Sequence, residues 1–350
     1  MRNQRKTEHL DLAVQTPDGP LDNGFGDLRF VHDSIPELNL EDIDLSVEFL
    51  GKRLSCPLVI NALTGGNAMS ESINRDLAWI AARHGLGMAV GSQTAALDDP
   101  SCINSFAVAR KINPEGLLLA NLGAGNTWQE TVKVVEMIGA DAVQLHFNVP
   151  QELAMAEGDR HFRGVLHQVR EVVEKAGVPV IAKEVGFGFS RESAARLYAV
   201  GVCIIDIGGS GGTNFIRIED RRNGTFCEEL DTWGIPTAVS LAEVLSLGLP
   251  LTVIATGGIR TALEMAKALA MGASLCGAAG WFLGILREEG INELDKQVGQ
   301  LIYRLKAILL MTGSRNWGEL QKKPLLILGR TADWLRARNI DPNYWARRRD

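Results

Sequence analysis

A (β/α)8 barrel is the fold class that the 350-residue sequence predicts. Three observations carry this expectation. Short β-branched, apolar runs recur about eight times from Cys56 onward, and amphipathic stretches of helical period separate them. The runs also close on glycines, amides and hydroxyls, as they do where a barrel keeps its chemistry at the strand ends. An open doubly wound sheet shares the alternation, but the repeat count suits closure, and no G-x-G-x-x-G follows the first run.

The elements read in order. Residues 1–54 precede the repeat as an extension that is polar at its start and then carries "FVHDSIPELNLEDIDLSVEFLGKRL", a short strand-rich lid or plug. Residues 55–312 form the barrel, with strands in "PLVINALTGG", "GMAVGSQ", "GLLLANLGA", "AVQLHFN", "PVIAKEVG", "VCIIDIGG", "LTVIATGG" and "ASLCGAAG". Between them "NRDLAWIAARHG", "ETVKVVEMIG", "RESAARLYAVG" and "TALEMAKALAMG" place apolar residues three and four apart and end on glycine, a helix stop. The longest interruption, Ser210 to Trp233, is expected as a loop closing over a substrate. Residues 313–350 form a C-terminal helical tail to which no chemistry is assigned.

Composition excludes several classes of function. A net charge of −6 gives no general attraction to nucleic acid or anionic membranes. Cys56, Cys102, Cys203, Cys227 and Cys276 are widely spaced, odd in number and never C-x-x-C, so neither a disulfide framework nor a zinc site is indicated. The apolar run "SLCGAAGWFLGIL" is too short to span a bilayer, and "MRNQRKTEHLD" does not read as a signal peptide. The expectation is a soluble, cytoplasmic protein.

At the strand ends stand Asn61, Thr64, Gly65 and Gly66, then Ser92 and Gln93, Asn121, His146, Asn148, Gln151 and Glu152, Lys183 and Glu184, Asp206 and Thr213. Any one of them is explained by solvation alone, but a ring of amides and hydroxyls with one lysine suits a polar heterocycle with a phosphate tail. "VIATGGIR" ends a strand at two glycines and opens a helix, where unpaired N–H groups and a bare backbone admit a phosphate, or else simply turn tightly. Lys183 needs an anionic partner at the end of a buried strand, either Asp206 or an anionic ring such as reduced flavin. Gly208 to Gly212 matches G-x-S-x-G, yet no histidine follows His167 to activate the serine, so a serine hydrolase is rejected.

Taken in order, "RKTEHL", "RFVHDSIPELNLEDIDL", "INALTGG", "AVGSQTAAL", "HFNVPQELAMAEGDR", "KEVGFGFS", "GGTNFIRIEDRR" and "ATGGIR" resemble the type 2 isopentenyl-diphosphate isomerases, FMN-dependent (β/α)8 enzymes of isoprenoid synthesis. The resemblance implies that Gly257, Gly258, Ile259 and Arg260, with Ala279 and Gly280, line the FMN phosphate. Thr64, Gly65, Gly66, Ser92, Asn121, Lys183 and Thr213 would contact the ring and ribityl chain. It also implies that Arg5, Lys6 and His9 grip the substrate diphosphate, with His146 and Asn148 beside it. Gln151 would be the active-site glutamine, and Glu152 would hold Mg2+ against the diphosphate. Glu219 and Arg222 match a pair read as structural.

Further implications are a redox-neutral reaction on reduced FMN, with NAD(P)H only keeping the flavin reduced, and a homo-oligomer, tetramer or octamer. The chain departs from the family at Gly208, often serine, and at Gly280-Trp281, often Arg-Pro, which leaves phosphate contacts there to the backbone. Two rivals are an FMN-dependent 2-hydroxy-acid oxidase and a non-catalytic flavin-binding barrel. The first expects a histidine where this chain reads "IGGSGGTN", and related nucleotide dehydrogenases expect a cysteine there.

Overall fold

The computed structural model describes Thr16 and residues 18–348. Arg5, Lys6 and His9 therefore lie outside the described residues. Eight parallel strands close into a barrel: β1 (Leu58–Ile60), β2 (Gly87–Ala89), β3 (Leu118–Gly123), β4 (Ala142–Phe147), β5 (Val180–Glu184), β6 (Ile204–Asp206), β7 (Thr252–Ala255) and β8 (Leu275–Ala278). Each pairs with its neighbours in sequence, and β8 returns to β1 through Cys276 opposite Leu58 and Ala278 opposite Ile60. All eight apolar runs in the sequence supply a strand.

The outer helices are α1 (Ala68–His84), α2 (Asn104–Ile112), α3 (Trp128–Ile138), α4 (Val165–Lys175), α5 (Arg191–Ala199), α6 (Thr237–Leu245), α7 (Ala262–Met271) and α8 (Ile291–Met311). Their starts are written locally. Thr127 with Glu130 and Thr261 with Glu264 form reciprocal capping boxes at α3 and α7, satisfying N–H groups that a helix start leaves open. Gly85 and Gly139 end α1 and α3 in the left-handed conformation. The helix α8 packs on both α7 and α1 and so closes the outer ring.

Two further pieces lie outside the ring of helices. Strands Val47–Phe49 and Lys52–Leu54 form a hairpin whose turn residues Leu50 and Gly51 have φ of 51° and 73°, as a two-residue turn of matching twist requires. Its Phe49 and Leu54 cluster with Val59, Leu119, Ile181, Ile204, Ile254 and Leu275 from inside the barrel. At the periphery, Leu28–Phe30 pairs antiparallel with Leu325–Ile327. The stretch after residue 312 thus contains a strand as well as helix Gly329–Ala337.

Three short helices sit on the strand-end side: Val149–Ala154 after β4, Phe215–Asn223 after β6 and Gly280–Glu288 after β8. The second falls within the connection that the sequence reads as a loop. Asn214 nucleates it by accepting from the N–H groups of Ile216 and Arg217. No helix among the described residues is long and apolar enough to cross a membrane.

Candidate active site

Along the barrel strands, side chains alternate between the interior and the helix layer, so residues two apart face the same way. Moving two residues past the apolar interior layer replaces Val59 with Asn61, Leu119 with Asn121, Ile181 with Lys183, Ile204 with Asp206 and Ile254 with Thr256. These five polar side chains are all buried. They satisfy one another, as buried polar groups must. The fully buried Asp206 carboxylate accepts from Asn61 Nδ2 at 2.7 Å and from Thr256 Oγ1, and Lys183 Nζ lies 3.5 Å from it. Asn61 Oδ1 accepts from Gln144 Nε2 at 2.9 Å, Gln144 Oε1 from Asn121 Nδ2 at 3.0 Å, and Asn121 Oδ1 faces His146 Nδ1 at 2.9 Å. Lys183 also donates to the Glu184 carbonyl at 3.1 Å.

Burial, and then the Lys183 charge, push His146 down to about 4, so its ring is neutral at pH 7. Burial raises Glu184 to about 8, against hydrogen bonds from Phe187 and Gly188 N–H at 2.6 and 2.8 Å and against Lys183. Glu184 thereby clamps the turn after β5.

A second cluster stands at the end of β4. Asn148 Nδ2 donates to Glu152 Oε1 at 2.9 Å and approaches Gln151 Oε1 at 3.4 Å, while Glu152 Oε2 accepts from Asp159 N–H at 2.8 Å. Asn148, Gln151 and Glu152 are thus brought together. No group of three or more His, Cys, Asp or Glu side chains able to hold a metal occurs among the described residues. Glu152 alone suits Mg2+, which keeps waters and ligand oxygens in most of its positions. Glu219, fully buried, pairs with Arg222 at 2.5 Å, and Arg222 reaches Glu157 at 3.6 Å. Arg222 and Glu157, with Ala156 and Asn223, line a cavity of about 440 Å3 beside this cluster.

The third part is the pair of glycine turns after β6 and β7. A Cβ on Gly257 would lie 2.1 Å from the Gly209 carbonyl oxygen, and one on Gly258 would lie 2.0 Å from that of Gly211. Their φ values of 113° and 68° also exclude most side chains. The glycines therefore let the two turns stack on each other as well as leaving bare backbone. Among the described residues, the N–H groups of Gly212, Thr213, Gly257, Gly258, Ile259, Ala279 and Gly280 have no hydrogen-bond partner. Gly280 opens helix Gly280–Glu288, with Thr213 Oγ1 3.7 Å from where its Cβ would stand, so the amides of three loops share one corner. That donor set fits a phosphate, and a cation beside a polar ring site fits the rest of FMN.

Other sequence candidates fall nearby. Thr64 Oγ1 bonds Ser70 Oγ at 2.7 Å, Gly65 lies against the Phe106 ring where a Cβ would collide, and Gly66 N–H donates to Ser105 Oγ at 2.7 Å. Ser92 Oγ meets Thr94 Oγ1 at 3.1 Å. The Ile259 side chain is buried in the core, so only its backbone faces the turn. Arg260 pairs with Asp18, and its N–H donates to Glu264 at 3.0 Å. Sequence reasoning missed Gln144, Thr256 and Asn23. Asn23 ties the extension to the turn through the Gly258 carbonyl at 2.8 Å and Glu264 at 2.7 Å. The signal for Gln144 was an amide in the apolar run "AVQLHFN", two residues before His146.

A closed barrel with an amide corner after its last three strands and a cation at the end of β5 defines a protein of the flavin-barrel class. Accordingly, the pattern of the family described as FMN-dependent dehydrogenase matches residues 103–326. Solved structures agree on the fold: flavocytochrome b2, as an arginine-to-lysine variant, has a TM-score of 0.69 at 19% identity, covering 91% of this chain and 82% of that one. A mandelate oxidase has a TM-score of 0.65 at 16% identity, covering 92% and 90%. Sequence relatives are nearer. The isopentenyl-diphosphate delta-isomerase of Moorella thermoacetica is 50% identical over 337 residues, 96% of this chain and 97% of that protein. That of Bacillus licheniformis is 46% identical over 348 residues, 99% of each. The chain belongs to the isopentenyl-diphosphate delta-isomerase family and is an isomerase.

Proposed function

We propose that this isomerase interconverts isopentenyl and dimethylallyl diphosphate in isoprenoid synthesis, using reduced FMN in the barrel mouth and Mg2+ at Glu152. The observation that supports this most is the conjunction of two features in one barrel mouth. They are the unpartnered amide corner at Gly257, Gly258 and Gly280, and the Lys183 cation at the end of β5. Reduced FMN, when bound, supplies acid–base groups for an alkene that has no carbonyl to acidify its C–H bonds.

The chain's own residues bind and orient. Lys183 supplies the positive charge that a reduced, anionic flavin ring takes as its partner. Thr64, Gly65, Gly66, Ser92, Asn121 and Thr213 line the ring and ribityl chain, and the backbone at Gly257 to Arg260, Ala279 and Gly280 takes the phosphate. Glu152, steadied by Asn148 and Asp159 N–H, would hold Mg2+, which would supply positive charge to the diphosphate. Gln151 has no useful acid–base pKa and orients the alkene end. Arg5, Lys6 and His9 add basic contacts to the diphosphate, and His146 lines the same site. NAD(P)H serves only to reduce the flavin, and the working protein is a cytoplasmic homo-oligomer.

The test is to incubate photoreduced, FMN-loaded protein with isopentenyl diphosphate and Mg2+ and to follow dimethylallyl diphosphate. Many turnovers per reducing equivalent are expected, with none from oxidised enzyme. Consumption of one NADPH per product overturns the redox-neutral reading, and flavin binding without product favours a non-catalytic barrel.

A further inference from the structure

The polar layer of the barrel contains a directional chain of side-chain amides. Both of its starting anchors are unambiguous: Asp206 only accepts, and the Ala62 backbone N–H, 2.8 Å from Asn61 Oδ1, only donates. Asn61 must then turn its NH2 group to Asp206 and its oxygen to Gln144 Nε2. Gln144 in turn offers its oxygen to Asn121 Nδ2, which leaves Asn121 Oδ1, an acceptor, against His146 Nδ1 at 2.9 Å. Reversing any one amide puts two donors or two acceptors face to face in a buried layer, where each is left unsatisfied.

We propose that this chain, Asp206 through Asn61, Gln144 and Asn121, fixes His146 as its Nδ1–H tautomer and leaves Nε2 as a hydrogen-bond acceptor for the bound ligand. Asn61 and Gln144 are then positioning residues, acting on His146 without touching it. Nε2 has no partner among the described residues and lies 3.5 Å from where a Cβ on Gly123 would stand, at the open end of β3. A neutral ring with a lone pair there repels a bare diphosphate oxygen and holds an O–H, such as water on a metal ion. The role this gives His146 rests on the isomerase reading; the tautomer does not.

The test is 15N NMR of the full chain labelled at histidine, without ligand, taking as His146 the signals lost in His146→Gln. The expected result is a protonated Nδ1 and a bare Nε2 in the wild type near pH 7. A protonated Nε2, or an even mixture, overturns the proposal without any variant. Gln144→Met breaks the chain at similar volume, and a mixture of both tautomers is expected. Gln144→Glu, its buried carboxyl protonated toward Asn61 Oδ1, keeps both a donor for Asn61 and an acceptor for Asn121 and should keep the single Nδ1–H form. Retention of that form in Gln144→Met would also overturn the relay. A failed isomerase assay alongside a protonated Nδ1 would sink the function reading and leave the relay standing.

Discussion

The two ends of the barrel interior differ in almost everything except backbone. At the end nearer the strand starts, Val59, Ala89, Leu119, Ile181, Ile204, Ile254 and Leu275 pack with Phe49 and Leu54 of the hairpin, an apolar plug with no directional contacts. One period further along, Asn61, Asn121, Gln144, Lys183, Asp206 and Thr256 form a layer in which nearly every contact is a hydrogen bond or ion pair. The comparison shows how a barrel separates stability from chemistry over about 7 Å of strand. The plug tolerates any close-packed set of the right volume, whereas the polar layer works in one orientation only.

Breaking the polar layer should have the largest effect. Asp206→Ala removes the acceptor for Asn61 and Thr256 and strands Lys183, so unfolding in denaturant should show a loss of about 3–5 kcal/mol together with lost flavin binding. Phe49→Ala opens a cavity in the plug, and about 3 kcal/mol should be lost by the same measurement. Here flavin affinity, read by fluorescence titration, should stay within about twofold, which sharpens the separation of the two ends. Loss of flavin binding in a folded Phe49→Ala protein would break it.

Gly257→Ala, which drives a Cβ into the Gly209 carbonyl at a φ of 113°, should cost about 2 kcal/mol and abolish retention of FMN on gel filtration. Gly280→Ala, with only Thr213 Oγ1 at 3.7 Å, should change neither.

The smallest effect concerns pH. His146 is lowered to about 4 in the folded chain from an ordinary 6.5, so the unfolded chain binds the extra proton between those values. Its contribution to stability is whole above pH 6.5 and is lost as the pH falls toward 4. With the ring edge partly open, this amounts to about 1 kcal/mol. The comparison of wild type with His146→Gln across pH 4 to 7 should show it. Glu184, raised to about 8, runs the other way: its contribution is whole below pH 4.5 and is lost as the pH rises through 8.

The strands were legible because each is a short apolar run that ends in a glycine or an amide, and the helices because Thr127, Glu130, Thr261, Glu264, Gly85 and Gly139 write their own ends. Asn148, Gln151 and Glu152 were readable as a group for the same reason, since a single turn of helix brings residues three and four apart together. Helix Phe215–Asn223 reads as loop because its sequence, "FIRIEDRRN", carries few apolar residues, and its start is marked only by the Asn214 cap.

What the sequence by itself determined is therefore what local chemistry and period encode: eight βα units, closure, the glycine turns and the motifs that place the chain in its family. Tertiary structure alone decided the partners. That Asp206 sits against Asn61, 145 residues away, and that Asn23 holds a turn 235 residues on, are consequences of closing the barrel. Residues without sequence proximity carry no periodic signal. The direction of a hydrogen-bond chain through Gln144 depends on which donor and acceptor the closed barrel brings face to face.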